Sequence, residues 1–437
     1  MSEHGFRNKD RKDGDRLRFQ EIVGRSDMIR DVYLTGEKED VFVIVPAYPM
    51  HALGTSVTNG GECRGIRYLF NRTIDRSVTC EADLPGGSWA AFMEKTAADI
   101  LSGEDERSAG IREVCGLSTA ALMKNTGAAR VVFRIPETGK EENDEKGENN
   151  EKGGNNEKRG NNENGGNSEK GGNNEKEGNN DRPENMTEVI VFATGGADSN
   201  ACRAGDPSSY YEWNGSFFVK GPAPGTINIF VLIDAVLPPG ALARALITAT
   251  EAKTTVLQDS AVPSRYSSGQ ATGTGTDGII IASADEGSGR PYLTDMTHHA
   301  RAGEMISAAV RAAVSEALFR ETGLCAGRQK TILRRLERFG IRPEDLKDIP
   351  EAVQEDGAAV GLVSMICRLK DETDAGLITQ DEAKRTLRMC FPEKDGAGAP
   401  AETDPDDPAR MISFDDDFGK SLSSFLRKRF GAGSERP

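Results

Sequence analysis

Three threonines at alternate positions, Thr272, Thr274 and Thr276, lead through a glycine-spaced loop into Asp277. A carboxylate in that place has two readings: a general base or hydroxyl-orienting group, or a cap on the loop's own amides. Upstream, Lys253 lies four residues before Leu257 and seven after Leu246, beside an apolar stripe. Partial desolvation there favours the neutral amine that a catalyst needs, whereas reaching out to water is the ordinary alternative. Glu251, two positions away, falls on another helical face, so the two do not pair within one helix. Asn200 and the backbone amides of Gly195 and Gly196 offer donors to an oxygen that turns negative, or simply hold a turn. His298 and His299 stand where a helix should begin, whose positive end favours a neutral imidazole able to accept a proton; capping is the alternative role. The chemistry in view is acid–base catalysis with oxyanion support.

Other chemistries fit less well. The loop Gly273-Thr274-Gly275-Thr276-Asp277-Gly278 matches the spacing of a dinucleotide fingerprint, but it precedes a strand instead of opening a helix. No phosphate-binding Gly-x-x-x-x-Gly-Lys-Ser/Thr run and no Gly-x-Ser-x-Gly elbow occurs. The histidines are His4, His51, His298 and His299, without the i, i+4 spacing that converges on zinc, so no metal site is expected. A net charge of -15 argues against nucleic acid, whose phosphates call for clustered Lys and Arg. Seven widely spaced cysteines with no Cys-x-x-Cys suit free thiols in a reducing compartment. With no apolar leader or membrane-length run, the expectation is a cytoplasmic protein that does not enter a membrane.

The elements that must position these residues are legible. Val41–Ala47 and Thr187–Ala193 read as buried strands, the second emptying into Thr194-Gly195-Gly196. The run from Ile227 to Val236 breaks at Pro238-Pro239-Gly240. A helix follows, with Leu242, Ala245, Ala249, Ala252 and Val256 on one stripe, and after the threonine loop comes the strand Gly278–Ala282. Trp89–Leu101 is helical and ends at Gly103, Ala129–Ile135 is a strand, and a helix start is expected near Ser118-Thr119. Asn59-Gly60-Gly61 permits close backbone approach to a ligand, or a plain hairpin turn. Tyr210, Tyr211 and Trp213 form a flat aromatic platform or pack in the core.

The blocks GTINIFV, TEAKTTVLQD and ATGTGTDGIII, with ATGGADSNACRAGD upstream, closely resemble the adenosylcobinamide amidohydrolases, the CbiZ family. The likeness extends more weakly to TSVTNGG (Thr55–Gly61), CGLSTAALM (Cys115–Met123) and THHARAGEMI (Thr297–Ile306). It implies hydrolysis of adenosylcobinamide to adenosylcobyric acid and aminopropanol, a step in corrinoid salvage. Cobalt would arrive with the substrate, and no separate cofactor is needed. The catalytic set it suggests is Asp277, Lys253, Asn200 and His298. Substrate contacts fall to Asn59, Gly60, Gly195, Gly196, Asp206, Asn228, Glu251, Thr272, Thr274 and Thr276. Neutral groups suit a wide ring fringed with amides. The rival readings are a corrinoid carrier without hydrolysis and an amidase for another amide.

The expected fold is α/β, a mixed sheet layered with helices, with a small helical extension at the C-terminus. Its parts are a disordered arm (1–28), the main domain (29–325), the helical extension (326–391), and an acidic linker with a terminal amphipathic helix (392–437). Within the extension, Lys330–Phe339 reads as one helix closing at Gly340, and self-association through these helices is expected. From Thr138 to Asn185 no hydrophobic residue occurs, and six hexapeptides from DEKGEN to NEKEGN follow one another. Such a segment has no apolar side chains to offset its ordering entropy, so it is read as a disordered insertion within one domain. Deleting residues 141–180 is expected to leave a soluble protein with an unchanged circular dichroism spectrum and melting temperature. An insoluble product would contradict the insertion reading.

Overall fold

Val41–Pro46 is buried at every position, and its two faces meet different partners. Val41, Val43 and Val45 pack with Phe92, Met93, Ala97 and Ile100 of a helix, whereas Phe42 and Ile44 join Phe192, Phe230 and Ile280 of other strands. Successive strand residues point to opposite faces, so an unbroken apolar run is what a strand covered on both sides requires.

The computed structural model describes residues 19, 22–75, 77–78, 81–102, 110–134, 185–214, 216–219, 225–391 and 407–431. The hexapeptide insert, Cys80 and Gly103 lie outside these. One unit comprises Met1–Val131 with Glu188–Pro437, and a second comprises Val132–Thr187; of the second, only 132–134 and 185–187 are described.

The strands are β1 (Ile29–Thr35), β2 (Val41–Pro46), β3 (Met50–Gly54), β4 (Gly61–Ile66), β5 (Tyr68–Thr73), β6 (Val114–Thr119), β7 (Gly127–Arg134), β8 (Met186–Gly195), β9 (Ala201–Cys202), β10 (Tyr210–Trp213), β11 (Ser216–Val219), β12 (Ile227–Val236), β13 (Gly273–Thr274) and β14 (Gly278–Ala284). Two sheets carry the fold, one ordered β1-β2-β5-β6 and the other β4-β3-β14-β12-β8-β7, with small ribbons β9/β13 and β10/β11 beside them. Each large sheet holds a parallel pair, β5 with β6 and β12 with β14. Parallel neighbours need a crossover. Helix α1 (Trp89–Ser102) lies between β5 and β6 in the chain, and α2 (Pro239–Asp259) between β12 and β14.

The layers follow from side-chain direction. Phe230 and Leu232 of β12 and Ile280 and Ala282 of β14 face the four-stranded sheet. Ile229, Val231 and Ile279 alternate with them and are equally buried. Their face is covered by α2 and by α3 (Arg301–Thr322), whose alanine-rich stripes are buried and which pack on β14 and β12. Helix, sheet, sheet and helix therefore stack in that order, an α/β fold with mixed sheets as expected, but with two sheets enclosing the central core. Among the described residues no helix is long and apolar enough to cross a membrane.

Several expectations need correction. Phe19 is 4% exposed and Met28 is buried, both within the central core. The Phe19 ring sits edge-on to Phe42 and Phe192, so this part of residues 1–28 is not a frayed arm; one aromatic ring buries enough surface to dock a polar segment. Ser118 and Thr119 end strand β6 and start no helix. The stretch expected as one helix, 330–339, is broken into Ile332–Leu336 and a 3-10 turn, although Gly340 does close it in the left-handed conformation. Residues 407–414, placed in a linker, are packed: Asp407 is buried against Arg388, and Ile412 and Phe414 lie in the C-terminal core. That core also takes Phe418, Leu422, Phe425 and Leu426 from the helix Phe418–Phe430. Tyr211 and Trp213 are exposed, Trp213 by 71%, which rules out core packing for these two rings.

The Phe192 ring lies 5.4 Å from that of Phe42 on the facing sheet. Phe192→Ala is expected to lower unfolding free energy by about 3–5 kcal/mol in chemical denaturation, because the facing sheets cannot close on the vacated space.

Candidate active site

Register brings the polar loops together. Asn228 at the start of β12 is opposite Gly278 at the start of β14. On the other side Ile227 is opposite Gly195, at the end of the antiparallel β8. The chain segments 195–206, 225–227 and 273–277 therefore converge at one end of the six-stranded sheet, and the far half of α2 lies over them.

At the centre of this convergence is an ion pair between Lys253 and Asp277. Lys253 is 6% exposed, so its ammonium does not reach out to water. Asp277 accepts from the Lys253 Nζ and the Thr274 hydroxyl. It also accepts from the Thr274 amide at 3.1 Å and the Ile227 amide at 3.1 Å. Gly273 makes this possible: a Cβ there would stand 2.3 Å from Asp277 Oδ2 and 2.8 Å from Lys253 Nζ. Of the two roles that the sequence leaves open for Asp277, the geometry combines loop capping with hydroxyl orientation.

A second layer holds the loops to one another. Asn200 Nδ2 donates to the Gly225 carbonyl at 2.5 Å, while Asn200 Oδ1 accepts from Tyr266 at 3.1 Å. Gly225 has φ +149°, and a Cβ there would lie 2.9 Å from both the Asn200 Cβ and the Gly196 carbonyl, a conformation and a closeness that require glycine. Thr226 donates to the Thr276 carbonyl at 2.5 Å, and Thr276 to that of Gly225 at 3.2 Å. Ribbon β9/β13 pairs Cys202 with Gly273 and Ala201 with Thr274. Thr272 accepts from the Ala204 amide at 2.9 Å. Asp206 accepts from the Arg203 amide at 2.7 Å and from Ser264 at 2.6 Å. Burial works against its charge, but hydrogen bonds from Ser264, Ser267 and Arg203 prevail and hold the carboxyl below its ordinary range. Burial and the neighbouring Asp277 carboxylate push the Cys202 thiol up.

The expected residues thus separate. Asp277, Lys253, Asn200, Thr272, Thr274, Thr276, Gly195, Gly196 and Asp206 converge here. The Gly196 amide is spent on the Thr226 carbonyl at 3.1 Å, and Gly195 sits in the β8–β12 ladder. Gly196 therefore does not offer the open amide expected of it. Asn228 is buried and donates to Asn71 and to the Ser118 carbonyl, tying the two sheets instead of facing a ligand. Asn59 and Gly60 form the β3–β4 turn, where Asn59 donates to Ile111 and Val114 carbonyls at 2.7 and 2.6 Å. Glu251 and His298 pair with each other at the surface, 58% and 49% exposed, with Ser307 on the other ring nitrogen. Two residues apart on a helix, Glu251 and Lys253 point to different sides. His298 precedes the helix start at Arg301 and does not join the Asp277 network. Residues the sequence reading passed over are Gly225, Gly273, Thr226 and Tyr266. The two glycines were visible in the blocks GTINIFV and ATGTGTDGIII as glycines, but which side chains they make room for was not.

What this arrangement can do is hold a hydroxyl against a carboxylate whose other oxygen is clamped by a buried ammonium. Gly275 and Thr276 are exposed directly above, and Thr272 and Asp277 are partly accessible. A substrate can therefore meet backbone at close range.

Residues 179–326 match the family model described as adenosylcobinamide amidohydrolase. An uncharacterized protein of Methanocaldococcus jannaschii is 40% identical over 142 residues, which make up 30% of this chain and 54% of that protein. The chain thus spans about half the length of the curated relative it matches. Two solved structures show a loose likeness over 67% of this chain and 78% of theirs. They are an L-aminopeptidase D-Ala-esterase/amidase from Ochrobactrum anthropi, at 12% identity and a TM-score of 0.25, and a Pyrococcus horikoshii protein, at 13% and 0.28.

Replacing Lys253 by Met leaves the Asp277 carboxylate without its counter-charge, and about 3–5 kcal/mol of stability is expected to go with it. The double variant Lys253→Met with Asp277→Asn should recover part of that loss in urea denaturation. Strictly additive losses would mean that the two groups do not act as a pair.

Proposed function

We propose that the protein hydrolyses the amide joining the aminopropanol arm of adenosylcobinamide to its corrin ring, releasing aminopropanol and adenosylcobyric acid. The observation that carries this reading is a coincidence of position. The segment matching the amidohydrolase family, 179–326, contains Asn200, Lys253, Thr274 and Asp277, the same residues that tertiary structure gathers into one polar cluster.

Amide hydrolysis needs an activated oxygen, charge support for the tetrahedral intermediate and a proton for the departing amine. Asp277 orients the attacking hydroxyl, whether of Thr274 or of a water that takes its place, and accepts its proton, which then passes to the departing amine. Lys253 fixes the carboxylate and supplies positive charge beneath the loop. The exposed backbone of Gly275 and Thr276 is where the amide-fringed ring approaches. Cobalt belongs to the substrate, and none of these steps draws on a metal held by the protein.

A second reading has one observation in its favour. Asp277 is surrounded by four donor groups, the state expected of a structural anchor, so the same cluster fits a corrinoid binder that does not hydrolyse. Purified protein incubated with adenosylcobinamide and analysed by chromatography separates the two. Release of aminopropanol is expected, along with a fall of at least ~10²-fold in Asp277→Asn while corrinoid binding persists in a visible-absorption titration. Binding without release by the native protein would favour the carrier, and release from non-corrinoid amides alone would favour a different amidase.

A further inference from the structure

Cys63 and Cys115 lie 52 positions apart in the chain and on different sheets, β4 in one and β6 in the other. Their thiols nevertheless meet, and the two side chains pack in the same core between the sheets. Cys115 is buried and Cys63 is partly open to solvent. The backbone on either side is already stapled. Asn59 Nδ2 reaches the Val114 carbonyl at 2.6 Å, and Cys115 Sγ is 3.5 Å from the Asn59 carbonyl. Ser56 donates to the Gly116 carbonyl at 2.5 Å, and Thr58 bridges Gly116. The segments that carry the two sulfurs are thus held against each other, as a disulfide between them requires.

We propose that Cys63 and Cys115 form an oxidisable dithiol, a modification site that closes to an inter-sheet disulfide on reaction with a low-molecular-weight disulfide such as oxidised glutathione. Cys63 is the attacking sulfur. Its thiolate opens the reagent's S–S bond, forms a mixed disulfide and releases one reduced thiol. Cys115 then gives up its proton and attacks Cys63 Sγ, expelling the second reduced thiol. Two protein thiols and one disulfide reagent become one protein disulfide and two small thiols. The division of roles follows from the environments. Donation from Cys115 holds the Cys63 thiol below its ordinary range, although burial and the nearby Glu62 oppose this. Donating to Cys63, together with burial, pushes Cys115 well above. The more open group is thus the readier nucleophile.

The test is peptide mapping by mass spectrometry after incubating the full chain with oxidised glutathione and blocking the remaining thiols. The Cys63 and Cys115 peptides are expected joined, two hydrogen atoms lighter than their sum and separable by dithiothreitol. Cys115→Ser should stop at glutathione on Cys63, and Cys63→Ser should leave Cys115 unmodified. Recovery of Cys63 and Cys115 as free thiols, while the exposed Cys325 and Cys390 carry glutathione, would overturn the proposal. So would a stable glutathione adduct on Cys63 in the native chain.

Discussion

A largely buried carboxylate–ammonium pair is the constraint around which the candidate site of this molecule is built. Burying either charge alone is costly, and burying both repays that cost only with good geometry and further hydrogen bonds. Asp277 obtains them from a hydroxyl and two backbone amides. One amide is that of Ile227 at the start of β12, and the other is that of Thr274 in β13, four residues before the start of β14 that the parallel register sets beside β12. Gly273 is a consequence of the pair, because any side chain there would occupy the space the two charges share.

The C-terminal helices bear on the same loop from outside. Gln329 donates to the Ser260 carbonyl at 2.6 Å and Arg338 to that of Ser268 at 2.6 Å, while Arg265 lies 3.7 Å from Glu337. The stretch that leaves α2 and leads to Gly273 is therefore held at several of its carbonyls. Its few apolar residues would order it poorly by themselves, since each fixed residue costs conformational entropy that contacts must offset. The extension has a core of its own, and one face of it serves as a brace for the loop that carries Thr274 and Asp277.

Polar residues also tie the two sheets together. Asn228 of one sheet hydrogen-bonds Asn71 of the other, and Asn71 in turn donates to Thr194. Each of these buried amides is satisfied, which is the condition for tolerating them in a core. The family resemblance implies a substrate contact at Asn228. Its actual partners lie across the sheet interface, where nothing in the local sequence points.

What the sequence determined unaided were features that depend on neighbours along the chain. The strand at Ile227–Val236, its proline-marked end and the apolar stripe from Leu242 to Val256 all follow from local periodicity and backbone preference, and the structure has them. Asp277, Lys253 and Asn200 were legible as polar groups at element ends. Tertiary structure alone decided their partners: that Lys253 turns inward to Asp277, that Glu251 and His298 form a surface pair apart from them, that Phe19 belongs to the core, and that Cys63 meets Cys115. The physical reason is that helix and strand signals are set within a few residues, whereas the partner of a charge or a thiol is set by which distant segments the packing of two sheets brings within a few ångströms.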